Sequence, residues 1–258
     1  MLELVKLERH GAIATIRLSR PEKLNALLKP MWLALSGLLK TLDADEHVRC
    51  IVLRGAGGNF CAGADIGEFN AERADSTHAK AYGALMHQVL FALRDGQHPT
   101  IAAIEGVCAG AGLELALMCD LRLAADGARL GLPVARLGVT LPGPEFSALL
   151  EAVGRANALE LLLETRLWGA VEAASRGLVN RVVMSERFEE ELAATAQRIA
   201  VGAPLSHRYH RQFARRLSDP RPLAEAEFSA GYACFDTRDC RAAVEAFLKK
   251  EAPRFEGR

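Results

Sequence analysis

Hydrophobic and polar positions change their spacing along this chain, and each spacing marks a type of element. Residues 2–9 and 12–18 alternate apolar and polar side chains around His10-Gly11, which predicts two paired strands. Residues 24–42 follow another rhythm: Met31, Leu35, Leu38, Leu39 and Leu42 form one apolar stripe, so a core-facing helix is expected there. Cys50-Ile-Val-Leu-Arg54 is almost continuously apolar, as a strand buried on both faces would be. A helix over 79–94 and a strand over 100–104 follow. This alternation of strand and helix argues for parallel strands joined by crossover helices.

Further on, 121–124 and 129–131 read as short strands. Gly143-Pro144 opens a helix with Phe146, Leu149, Leu150 and Val153 on one face, and 177–183 closes this part of the chain. From Ser185 onward the pattern is helical, broken at Ala203-Pro204 and over 219–222. The expected division is a core over residues 1–200 and a helical region over 201–258.

Two glycine-rich turns interrupt the apolar runs: Gly55-Ala-Gly-Gly-Asn-Phe-Cys-Ala-Gly-Ala-Asp65 and Cys108-Ala-Gly-Ala-Gly-Leu-Glu114. Each can present unpaired backbone N–H groups, and two convergent donors make a hole for an oxyanion. The second turn leads directly into a helix, whose N-terminus favours negative charge. Glu114 is the only charged residue between Glu105 and Asp120, in a stretch apolar on every side. Burial there raises the pKa of a carboxyl and suits it to proton transfer near neutral pH.

Composition narrows the function classes. Of 258 residues half are apolar, enough for a large core, and 32 basic residues balance 32 acidic ones. The zero formal charge offers no basic field for nucleic acid. The N-terminus lacks the apolar stretch and cleavage site of a signal peptide, and no window has the roughly 18 uncharged apolar residues of a membrane span. A soluble, cytoplasmic protein without membrane or nucleic-acid partners is expected. Six cysteines without CxxC spacing are expected to be reduced thiols, and no sequence cluster suggests a metal. Neither turn completes GxGxxG, since the last position is Phe60 in one and Leu115 in the other; no serine sits in GxSxG. Dinucleotide-binding and α/β-hydrolase readings are therefore set aside.

Several spaced motifs in order, Arg20-Pro-Glu-Lys-Leu-Asn-Ala-Leu27, Phe60-Cys-Ala-Gly-Ala-Asp-Ile66, the run from Ile104 to Ala116, Cys119-Asp120, Gly131-Leu-Pro133 and the stretch from Phe247 to Phe255, carry a resemblance. The chain resembles the crotonase superfamily, the enoyl-CoA hydratase/isomerase family, nearly end to end. The resemblance implies an α/β fold built as a spiral of ββα units, with a C-terminal helical region that makes trimer contacts and completes a CoA site. A homotrimer, or a hexamer of two stacked trimers, follows as the expected assembly.

The same resemblance assigns residues. Ala64 and Ala111 match the family's two oxyanion-hole N–H donors, and Glu114 matches one of two catalytic glutamates of its hydratases. Lys23 and Leu24 match a nucleotide-contacting loop, Ala62, Asp65 and Ile66 an adenine pocket, and Lys250 a C-terminal phosphate-binding lysine. No cofactor is implied, because CoA arrives as part of an acyl-CoA substrate. The second hydratase glutamate is replaced by Val134, so one carboxylate of the acid/base pair is missing and weak hydration is expected. Glu145 stands as a candidate replacement, although its place after Pro144 also suits a helix start. Asp120, His78, His87 and His98 are expected to be structural. Hydration or isomerisation, another acyl-CoA reaction such as decarboxylation or thioester hydrolysis, and CoA binding without catalysis remain open at this level.

Overall fold

The structure, a computed structural model, describes residues 4–258. The first two strands, β1 (Val5–His10) and β2 (Ile13–Leu18), form the expected hairpin. Leu2 and Glu3, also read as strand, lie outside the described residues. The chain continues through a 3-10 turn at Pro21–Lys23 into α1 (Lys29–Asp43), then β3 (Cys50–Gly55), α2 (Phe69–Glu72), α3 (Ser76–Asp95) and β4 (Thr100–Ile104). Next come β5 (Val107–Ala109), α4 (Ala111–Leu117), β6 (Leu121–Ala125), β7 (Arg129–Gly131) and α5 (Gly143–Glu164). The remainder holds β8 (Trp168–Gly169), α6 (Ala170–Ser175), β9 (Arg181–Val183), α7 (Phe188–Ala200), α8 (Pro204–Leu217), α9 (Glu225–Ala230) and α10 (Arg238–Lys249).

A six-stranded sheet runs in the order β1-β2-β3-β4-β6-β9, antiparallel only between β1 and β2. The central strands are covered on both faces, which is why they read as continuous apolar runs. Along β3, Ile51 and Leu53 join the main core with α1 and α3, while Cys50 and Val52 meet Phe188, Leu192 and Ala196 of α7. A second sheet, β5-β7-β8, stacks short strands beside the first. Trp32 of α1 donates its Nε1–H to Tyr82 Oη of α3 at 3.1 Å, satisfying a buried polar group between the two helices.

The helix expected over 24–42 starts at Lys29 instead. Leu24 and Asn25 take positive φ, 50° and 58°, which stops a right-handed helix. Asn25 pins this conformation: fully buried, it accepts the Arg20 N–H through Oδ1 and donates through Nδ2 to the carbonyls of Ala56 and Asn59. The helix expected over 79–94 begins earlier, where Asp75 caps the Thr77 and His78 N–H groups. The strands β5 and β8, of three and two residues, are too short to display a period.

The C-terminal helices are stapled to the core by Arg211 of α8. Its buried guanidinium donates to the Leu93, Arg94 and Gly96 carbonyls at the end of α3 and to Asp120. It thereby satisfies last-turn acceptors that a helix end leaves open. Asp239 fixes the tail by accepting the N–H groups of Glu256 at 2.7 Å and Gly257 at 2.8 Å. Among the described residues no helix is long and apolar enough to cross a membrane.

Candidate active site

Three segments distant in sequence are laced together around the glycine turns. Residues 20–27 wrap the first turn: Ala62 N–H donates to Leu24 O, Leu27 N–H to Gly63 O and Asp65 N–H to Leu27 O. The second turn is joined to the first through the Cys61–Cys108 bridge, where Cys61 N–H donates to Val107 O and Ala109 N–H to Cys61 O. Two glycines permit this approach. A Cβ on Gly112 would sit 2.4 Å from Cys61 O; one on Gly63, whose φ is +108°, would sit 3.1 Å from Ala109 O and 3.5 Å from Ala111 N.

The two turns therefore run side by side, with Ala64 three residues beyond Cys61 and Ala111 three beyond Cys108. Among the described residues, neither the Ala64 nor the Ala111 N–H donates to a protein acceptor. Both residues line one cavity of about 320 Å³ together with Glu114, Val134, Met86 and Phe69. N–H groups without a protein acceptor that face a cavity are free to donate to water or to a ligand oxygen.

Glu114 is 6 % exposed, and its Oε2 is buried without a hydrogen-bond partner. Burial, and then the negative charge of Glu145, push its carboxyl up to about 8, while Arg73 pulls the other way. Glu145, in the first turn of α5, is 1 % exposed and meets His87 of α3, Nε2 to Oε1, at 3.0 Å; its Oε2 has no partner. Glu145 lies outside the residues lining the cavity but its negative charge is felt at Glu114, and Val134 occupies the cavity wall as an apolar side chain. His87, read from sequence as a plain helix-face residue, is Glu145's partner. Its separation of 58 residues from Glu145 leaves no local signal.

The nucleotide-site residues divide. Ala62 and Ile66 line the cavity. The Ala62 and Asp65 N–H groups are already used within the protein, which leaves the Ala62 carbonyl for a ligand donor. Asp65 caps Gly67 N–H and pairs with Arg20, so its carboxylate braces the turn and lies below the usual carboxylate range through that pair. Lys23 and Leu24 form the loop whose Leu24 carbonyl accepts from Ala62. Lys250 caps α10 with φ 57° and is not among the residues lining the cavity.

The other candidates have structural partners. Asp120 accepts from Thr100 N–H at 2.7 Å and from Arg211 at 2.8 Å. His78 pairs with its helix-capping Asp75, and burial lowers the pKa of His98. All six cysteines are free; burial pushes the Cys61 thiol up to about 12, which makes it a poor nucleophile. No group of three or more metal-ligating side chains occurs among the described residues.

A family model described as enoyl-CoA hydratase/isomerase matches residues 8–258. Mycobacterium tuberculosis has a protein named "Probable enoyl-CoA hydratase echA8" that is 36 % identical over 257 residues, covering 98 % of both chains. The short-chain-enoyl-CoA hydratase of Clostridium acetobutylicum is 32 % identical over 252 residues, 96 % of each chain. Among solved structures, an enoyl-CoA hydratase/carnithine racemase from Magnetospirillum magneticum superposes with a TM-score of 0.97 at 44 % identity, covering 100 % of this chain and 97 % of its own.

Proposed function

Because the chain belongs to the enoyl-CoA hydratase/isomerase family, we propose that its cavity binds an acyl-CoA thioester and stabilises the thioester enolate with the N–H groups of Ala64 and Ala111. Glu114 exchanges the proton at the substrate α-carbon. The observation that carries this reading is a buried carboxyl with no protein partner in the same cavity as two unused N–H donors. The donors act more strongly on the enolate than on the neutral carbonyl and so lower the barrier. A carboxyl held up to about 8 is protonated at neutral pH and can deliver its proton to carbon, regaining it from the next substrate or from water.

Glu145, held by His87, serves as the second carboxyl in hydration or isomerisation. Val134 favours a second reading, in which one proton exchange suffices: acyl-CoA decarboxylation or thioester hydrolysis. For the CoA portion, the Ala62 carbonyl and the Leu24 loop contact adenine, with Asp65 and Ile66 shaping that wall and Lys23 and Lys250 facing phosphate. Lys250 lies outside this chain's cavity, so its part depends on assembly. The helical region after residue 200 exposes Phe228, Tyr232, Phe235, Val244, Phe247 and Leu248, an apolar surface suited to a homotrimer, or to a hexamer of stacked trimers.

The test is a panel of enoyl-, malonyl-type and β-hydroxyacyl-CoA thioesters in D₂O, following deuterium incorporation at the α-carbon. Turnover with α-deuteration in the wild type and none in Glu114→Gln supports the reading. Equal deuteration in both proteins removes Glu114 from the chemistry. Sedimentation at micromolar concentration addresses the assembly, and a stable monomer would refute the trimer.

A further inference from the structure

Apart from Glu114, the charged side chains lining the cavity are two cations, Arg73 and Arg136. Arg136 is exposed and anchored to Thr165 Oγ1 at 3.0 Å. Arg73, half-buried between α2 and α3, is held differently. Its guanidinium carbon lies 4.1 Å from the Tyr82 ring centroid and 5.3 Å from that of Phe69. Its guanidinium donates to the sulfur of Met86 at 3.5 Å and to the Tyr82 hydroxyl, and among the described residues no carboxylate pairs with it. Other guanidinium groups near the site do find oxygen: Arg20 meets Asp65 and the Ala26 carbonyl.

The aromatic faces hold the plane of the guanidinium, and the N–H donors not spent on Met86 and Tyr82 keep the fork geometry that matches a carboxylate. The rest of the lining is compatible with an anion. Position 134 is valine, Glu145 is held by His87 and lies outside the residues lining the cavity, and burial keeps the Glu114 carboxyl protonated up to about 8. We propose that the acyl group of the cognate thioester ends in a carboxylate, which Arg73 binds as a specificity-determining residue. The substrate class is then the mono-CoA thioester of a dicarboxylic acid. This inference rests on the reading of the cavity as an acyl-CoA site.

Binding of saturated thioesters isolates recognition from chemistry. Calorimetric titration with glutaryl-CoA and with pentanoyl-CoA compares one five-carbon chain with and without the terminal carboxylate. The wild type is expected to bind glutaryl-CoA about tenfold tighter or better. Arg73→Gln should bring the ratio to about one through loss of glutaryl-CoA affinity, and Arg73→Lys should keep part of it. Pentanoyl-CoA titration of each variant verifies that its site is formed. Equal affinities in the wild type, or a preference that survives Arg73→Gln, would overturn the proposal while leaving the thioester site standing. If neither thioester binds the wild type, the acyl-CoA reading of the cavity itself fails, and this inference with it.

Discussion

Glu114 and Asp120 stand at the two ends of one buried apolar run, Glu114 in the middle of the short helix α4 and Asp120 three residues beyond its last turn, and the structure treats them in opposite ways. At the cavity end, Glu114 is desolvated, has no protein donor and sits near a second carboxyl; its pKa is pushed up to about 8. At the other end, Asp120 is partly solvated and receives hydrogen bonds from Thr100 and Arg211. Both are single acidic residues flanking an apolar run. The difference teaches that a carboxyl from which the fold withholds partners has its proton affinity raised, while a partnered one serves as a strut.

The largest effect expected from disturbing this contrast is on turnover. Glu114→Gln keeps size and removes proton exchange, so kcat on the substrate identified by the panel should drop about 10³-fold or more, close to 4 kcal/mol of barrier. Steady-state kinetics with KM reported separately checks this; a change confined to KM would assign Glu114 to binding.

At the opposite end, Arg211→Met should cost about 3 kcal/mol of stability, since the bonds from Arg211 to Asp120 and to the Leu93, Arg94 and Gly96 carbonyls are lost together. Urea unfolding measures the loss. Limited proteolysis should then cut first within the helices after residue 203, and an unchanged urea midpoint would remove the staple from the account.

A second carboxyl on the cavity wall sharpens the contrast further. Val134→Glu should raise crotonyl-CoA hydration by about 10²-fold, near 2.7 kcal/mol, provided the wild-type rate is weak. Robust wild-type hydration would instead credit Glu145 and His87 with the missing function.

The smallest expected effect is on pH-dependent stability. The folded protein keeps Glu114 protonated up to about 8, whereas the unfolded carboxyl ionises near 4.5. Between these values the unfolded chain binds fewer protons, so this group's contribution is present below pH 4.5 and is lost as pH rises through the window. Glu114→Gln removes the loss. Its stability advantage over the wild type should grow by about 2 kcal/mol from pH 5 to pH 7. Urea midpoints at the two pH values decide, and a constant difference would mean that the carboxyl is not desolvated in solution.

Much of the fold is legible in the sequence because burial repeats at the period of each element. The stripe through Met31, Leu35 and Leu39 does become the buried face of α1. The apolar run at Cys50–Gly55 becomes a strand covered on both sides. The expected helix loses its first turn because Leu24 carries no mark of the left-handed conformation that Asn25 enforces through partners at Ala56 and Asn59. The glycine turns were legible too, since only glycine tolerates the approach of Cys61 O to position 112 and the positive φ at position 63.

Sequence by itself determined which segments are buried, where the backbone must turn tightly and that Glu114 enters an apolar helix. These are local consequences of side-chain size, polarity and φ preference. Only the tertiary structure decided which carboxyls keep partners. His87 reaches Glu145 from another helix, Arg73 enters the cavity over Tyr82, and Arg211 returns from α8 to hold Asp120. Proton affinity and ion recognition depend on charges and dipoles within a few ångströms, and those come from segments that neither spacing nor composition places together.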